Sequence, residues 1–117
     1  GAIHALSHPL GAMYHTHHGT TNAVCMAAVL QFNRPVIEGL IERAAAYLNI
    51  DGGFEGFAAF VDQLNASLGI PRNLDELGVS NPDLEALTRT ALTDPCVGGN
   101  PVAMTPENTR QLYEALL

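Results

Sequence analysis

The chain contains no lysine. Five arginines stand against twelve acidic residues, for a formal net charge of −7, and no stretch gathers the positive charge that neutralising phosphates requires. Nucleic acid and anionic membrane surfaces are therefore not expected as partners. Cysteine is also scarce: Cys25 and Cys96 lie far apart, neither in a C-x-x-C pair, which argues against a secreted disulfide framework and for a reduced, cytoplasmic chain. Every apolar run is broken by a polar residue or glycine before the ~18 residues a membrane helix needs, and no basic segment leads into an apolar one as in a signal peptide. No membrane span is expected. Charged residues make up 15% of the chain against 47% hydrophobic, well under the ~25% charged of an ordinary soluble domain. Part of the apolar surface is expected to be covered by other protein. Alternating strand patterns, internal repeats and low-complexity segments are all missing.

What is present is helical periodicity over 117 residues, enough for one domain or part of one with roughly two thirds of the unfolded surface buried. Ile3, Leu6 and Leu10 repeat at helical spacing, with Pro9 and Gly11 expected to end that first short helix. Ala12 to Thr16 reads as a link, and His18 opens a helix that is apolar nearly all round from Ala23 to Leu30. Asn33 and Pro35 are expected to close it and start the next, in which Val36, Ile37, Leu40, Ile41, Ala44, Ala45 and Leu48 form the apolar face. Phe54 to Leu68 gives a further amphipathic helix stopped by Gly69 and Pro71, and Leu74 to Gly78 a single turn. Asn81 is the expected N-cap of a helix with Pro82 in its first turn and Leu84, Leu87, Ala91 and Leu92 on its apolar face, and Thr105 with Pro106 starts the last, anchored by Leu112, Tyr113 and Leu116. Between these two helices, Asp94 to Pro101 is too rich in glycine and proline for regular structure. The pattern predicts an all-α bundle of five or six helices. It begins at Gly1 inside a helical repeat, without a cap or polar lead-in, and reads as a piece cut within a helix.

All five histidines fall in the first eighteen residues: His4, His8, His15, His17 and His18. Four residues apart, His4 and His8 share one face of their helix, a turn apart, so both rings can look into one cavity. Neutral imidazole is a common ligand of Zn²⁺ and Fe²⁺, and a third histidine shortly downstream could join them. The same cluster fits polar surface or capping histidines, and spacing alone does not separate the two. No acid lies between His4 and His8 as in H-E-x-x-H, and the nearest following one is Glu38. A complete metal sphere is therefore not expected from this chain. Cys25, at helical spacing, is expected to pack as a small hydrophobe. Cys96, beside two glycines, is a weaker candidate for lining a pocket.

The segment Gly1-Ala2-Ile3-His4-Ala5-Leu6-Ser7-His8-Pro9-Leu10-Gly11-Ala12, followed by Thr16-His17-His18-Gly19 and Asn22-Ala23, closely resembles the second signature of the iron-containing (group III) alcohol dehydrogenases. Asp94-Pro95-Cys96-Val97-Gly98-Gly99-Asn100-Pro101, with the helix start at Glu107-Asn108, is similar to that family's C-terminal loop. The resemblance spans residues 1–117 and implies the C-terminal helical domain of the dehydroquinate synthase-like fold, without the nucleotide-binding domain that precedes it in the family. It further implies a metal, Fe²⁺ or Zn²⁺, held by one Asp and three His. Only His4 and His18 match ligand positions here; the other two belong to a D-x-x-x-H segment this sequence does not contain. His8 matches an active-site histidine that orients substrate or nicotinamide or relays a proton, and Cys96 a pocket-lining position. His17 stands where many members carry Pro, so exposed side chains are expected for His15 and His17.

The activity so implied is hydride transfer between a small alcohol or aldehyde and NAD or NADP, with the coenzyme bound mainly outside this chain. The piece alone is expected to be inactive and to self-associate as a homo-oligomer through its uncovered apolar helices. Two other readings remain at this level: a non-enzymatic helical module for metal binding or association, and a maleylacetate- or glycerol-type enzyme of the same superfamily. Ser7 and Leu10-Gly11 favour the alcohol group.

Overall fold

Leu6, Leu10, Val24, Cys25, Leu87, Ala91, Leu112 and Tyr113 meet in the main core, and the helices are those needed to bring them there. The computed structural model describes residues 1–117. It consists of α1 (Ala2–Tyr14), α2 (His18–Tyr47), α3 (Gly53–Ser67), α4 (Leu84–Leu92) and α5 (Pro106–Glu114), with a 3-10 turn at Val97–Gly99. The class is all-α, as the periodicity predicts. α1 packs on α2 and α4, α4 on α5, and α3 on α2.

Two expected helix ends are not there. Pro9 and Gly11 lie inside α1, which runs to Tyr14. An interior proline costs ~3 kcal/mol, but Pro9 and Leu10 are both fully buried, and a large apolar side chain contributes roughly 1.5–3 kcal/mol when it leaves water. Stopping at Pro9 would forfeit that burial. The helix ends instead at His15, in the left-handed conformation (φ 57°), whose N–H donates to the Gly11 carbonyl at 3.0 Å.

Likewise, Asn33 and Pro35 do not divide the second helix from a third. α2 is continuous over 30 residues, because the structure grips it on both sides of the proline. Before it, Asn33 pairs with Asn100. Arg34 bridges Glu38 and Glu55 and lies over the Phe54 ring, 4.5 Å from its centroid. Beyond it, Ile37 and Ile41 pack on a second cluster of Leu30, Phe54 and Val61. Of the apolar face expected there, however, Val36, Leu40 and Leu48 are more than half exposed, at 59%, 57% and 53%.

This continuity has a further effect. Joined through Pro35, two interrupted apolar stretches give an 18-residue window of mean hydropathy 1.3, so by length and composition α2 could cross a membrane. That was not apparent from the separate runs. Its residues Val24, Cys25, Val29 and Leu30 are core residues of this fold, so α2 has the composition of a central helix.

Asn81 is not the cap of α4. It takes a positive φ (52°) in the preceding turn, and Asp83 caps the helix, its Oδ1 accepting from the Ala86 N–H at 3.0 Å. α5 starts as expected, with Pro106 in its first turn and a reciprocal capping box between Thr105 and Asn108. The α2–α3 turn requires a glycine at 56: a Cβ there would lie 1.8 Å from the Asp51 carbonyl oxygen.

Asn100 ties the ends of the chain together. Its Oδ1 accepts from the Ala2 N–H and from Asn33 Nδ2, both at 3.0 Å, while its Nδ2 donates to Asn33 Oδ1 and the Val102 carbonyl, both at 2.8 Å. Replacing Asn100 by Ala leaves the Ala2 amide and the largely buried Asn33 side chain without these partners. A loss of about 2 kcal/mol is expected, on the scale of an orphaned buried polar group, read as a lower urea midpoint at unchanged slope.

Candidate functional site

The link His15-Thr16-His17 carries the chain back along α1, so that the first turn of α2 lies beside its middle. Thr21 holds the link, its hydroxyl lying 2.8 Å from Thr16 Oγ1 and 2.9 Å from the His17 carbonyl. His17 is the N-cap of α2, its Nδ1 accepting from the Thr20 N–H. Both His15 and His17 are exposed, as expected, and each serves a helix terminus, which is the capping alternative for these two histidines.

The consequence of this hairpin is that His4, His8 and His18 meet. Their ring centroids are 5.5 Å apart for His4 and His8, 5.2 Å for His4 and His18, and 5.5 Å for His8 and His18. One donor atom from each ring lies within 4.8 Å of the others, a grouping that could hold a metal ion. The donor set is all imidazole, which suits Zn²⁺ or Fe²⁺. All three side chains face solvent.

His18 is further held by Asn22, one turn on, whose Nδ2 lies 3.1 Å from His18 Nε2. The Asn22 Oδ1 is buried and has no partner within the chain. A buried acceptor beside a histidine cluster calls for a donor from outside the chain's own groups, such as solvent or a ligand.

The acid nearest to the histidines in space is not Glu38, the nearest one following them in sequence. Asp94, in the loop after α4, places Oδ2 2.7 Å from His8 Nδ1, across 86 positions of sequence. Its other oxygen, Oδ1, accepts from the Cys96 N–H at 2.8 Å. The Asp94 side chain is 10% exposed and that of His8 40%. Desolvation works to raise the Asp94 pKa, but hydrogen bonds from His8 and from the amide and thiol of Cys96 outweigh it and hold the carboxyl below its ordinary value. Nothing in the helical pattern signals this acid, because its loop meets α1 only through the packing of α1 on α4.

Cys96 lies within the same group, its sulfur and the donor atoms of His8 and Asp94 all within 4.8 Å of one another. Hydrogen bonding to Asp94, then partial burial, pushes its thiol pKa up. It is therefore a neutral neighbour of the site and not an activated nucleophile. Cys25 is fully buried in the main core, as expected, and desolvation pushes its thiol up to about 12.

The sequence pattern of the Fe-containing alcohol dehydrogenase family, C-terminal, matches residues 1–117. Among curated relatives, the lactaldehyde reductase of Escherichia coli (strain K12) is 33% identical over 97% of this chain and 31% of its own length. Alcohol dehydrogenase 4 of Saccharomyces cerevisiae is 36% identical over 92% of this chain and 29% of its own. A crystal structure of a 1,3-propanediol oxidoreductase superposes with a TM-score of 0.91 at 27% identity, covering 100% of this chain and 32% of that one. The chain thus spans about a third of the length of the proteins it matches.

The two thiols are expected to react differently. With the native protein, a disulfide reagent at neutral pH modifies Cys96, at a rate below that of free cysteine because of Asp94, while Cys25 reacts only on unfolding. Counting released chromophore with and without denaturant checks both.

Proposed function

The chain belongs to the Fe-containing alcohol dehydrogenase family, and from that premise we propose that it is the helical, metal-binding part of an NAD(P)-linked oxidoreductase interconverting a small alcohol and its aldehyde. The observation that carries the proposal is the meeting of His4, His8 and His18 at the junction of α1 and α2, with ring centroids 5.2–5.5 Å apart. A lactaldehyde reductase and an alcohol dehydrogenase among the relatives support the substrate class. In this reading the remaining ligands, an Asp and a His, and the coenzyme-binding domain lie outside this sequence, so the segment by itself is inactive. Cytoplasmic localisation belongs to the same proposal and is supported by the two free thiols.

His4 and His18 would hold Fe²⁺ or Zn²⁺. When bound, such an ion would supply Lewis acidity at an alcohol or carbonyl oxygen, and a nicotinamide would supply the hydride chemistry. The chain's own part is placement. His4 and His18 sit on two helices whose mutual position is set by the His15 turn and the Thr16–Thr21 contact, so the two donors are held in advance of binding. His8, beside both, is placed to orient the substrate hydroxyl or relay its proton, and Cys96 lines the approach on the Asp94 side.

In the intact protein, His4→Ala and His18→Ala are each expected to lower bound metal after purification, while His8→Ala keeps its metal and loses ~10²-fold or more in kcat, the scale of a positioned acid–base group. Elemental analysis and the nicotinamide absorbance with a panel of short alcohols read the two effects. Full metal content in both His4→Ala and His18→Ala would remove the assignment.

Self-association is part of the proposal. Val36, Leu40 and Tyr47 on α2 and Leu48 just after it, with Leu64 and Leu68 on and just after α3, are all exposed. Val36 lies about 27 Å along α2 from His18 at 1.5 Å per residue, so a second copy seated there leaves the histidines open. Sedimentation velocity is expected to show a dimer or larger species. A monomer at high concentration would count against it.

A further inference from the structure

We propose that Asp94 is a positioning residue for His8: it fixes the imidazole as the Nδ1–H tautomer and leaves Nε2 as a bare acceptor for a substrate hydroxyl. The proposal rests on the reading of His8 as the group beside the metal, and it adds the residue that determines which nitrogen of His8 can act.

The argument begins with donors and acceptors. An ionised carboxylate only accepts, so a neutral imidazole whose Nδ1 lies 2.7 Å from Asp94 Oδ2 must carry its proton on that nitrogen. A neutral imidazole has one N–H, so Nε2 is left with its lone pair. This is the arrangement by which a carboxylate sets the tautomer and ring orientation of functional histidines.

Asp94 is itself immobilised. Oδ1 is engaged by the Cys96 N–H at 2.8 Å, and its main-chain carbonyl accepts from the Val97 N–H at 3.1 Å, so the carboxylate is anchored at both ends. With the side chain only 10% exposed, water competes little for it. Asn100, which closes this loop, is bonded to the start of α1. The loop bearing Asp94 and the helix bearing His8 are thereby held in register by a contact remote from the site.

The anchored oxygen makes Asp94→Asn diagnostic. The Cys96 N–H requires an oxygen at the Oδ1 position, so the amide NH₂ of the variant must face His8. It would donate to Nδ1, and the imidazole proton would move to Nε2. The substitution is therefore expected to invert the tautomer, where a merely structural contact would only be weakened. Asp94→Ala should leave a mixture of the two forms.

The test is long-range ¹H–¹⁵N correlation on the intact protein labelled with ¹⁵N-histidine, at alkaline pH where imidazoles are neutral, with His8 assigned from His8→Gln. Native His8 should show a protonated Nδ1 and a bare Nε2, and Asp94→Asn the reverse. kcat for alcohol oxidation should fall ~10²-fold in Asp94→Asn at unchanged metal content and unchanged coenzyme KM. A proton on Nε2 in the native protein, the same tautomer in both proteins, or an inverted tautomer with unchanged kcat would each overturn the proposal. The native spectrum decides the first of these even if the variant does not fold. The tautomer is read without metal or coenzyme, so a native protein that shows no turnover would count against the dehydrogenase reading and leave the tautomer result standing.

Discussion

The structure depends on the four hydrogen bonds of the Asn100 side chain. They join the first amide of α1, the middle of α2 and the loop after α4, three parts of the chain that no single helix–helix interface holds together. A side-chain amide suits this role because it offers acceptor and donor at once, and here both are used twice. The buried Tyr113 hydroxyl, donating to the Leu6 carbonyl at 2.9 Å, adds a second link from α5 to α1. Apolar packing is non-directional and by itself leaves more freedom in the placement of α1 against α4. Directional bonds at both its start and its middle remove that freedom, and with it the freedom of His4 and His8.

The electrostatics follow from having so few cations. Four arginines are engaged with acids four residues away along the chain, in the pairs Arg34–Glu38, Arg72–Glu76, Arg89–Glu85 and Arg110–Glu114. Such solvent-screened surface pairs contribute little to stability, but they occupy the positive charges locally. None of them involves the histidine cluster, where the charged neighbour is Asp94. A chain of net charge −7 with three imidazoles and one carboxylate at the site attracts a divalent cation more readily than an anion.

Much of the helical architecture was legible from period and punctuation. The Thr105–Pro106 start and the Gly69 stop behave as local chemistry dictates, because caps and left-handed positions depend on a few neighbouring residues. The errors share one cause. Pro9, Gly11 and Pro35 are local breakers overridden by burial, and Asn81 yielded its place to Asp83 because Tyr14, from α1, accepts the Asp83 N–H at 2.8 Å. In each case a partner distant in sequence outweighed a local preference.

By itself the sequence determined the helical class, the pairing of His4 and His8 on one helix face, and the family to which the motif belongs, since these rest on spacings of a few residues. Only the tertiary structure decided by what route His18, which the resemblance had joined to His4, reaches that pair and that Asp94 stands behind His8. The physical reason is the same for both. His18 arrives through a left-handed turn at a non-glycine residue, and Asp94 through the packing of α4 on α1. Neither the fold of a link nor the meeting of two helices is encoded in the period of either one.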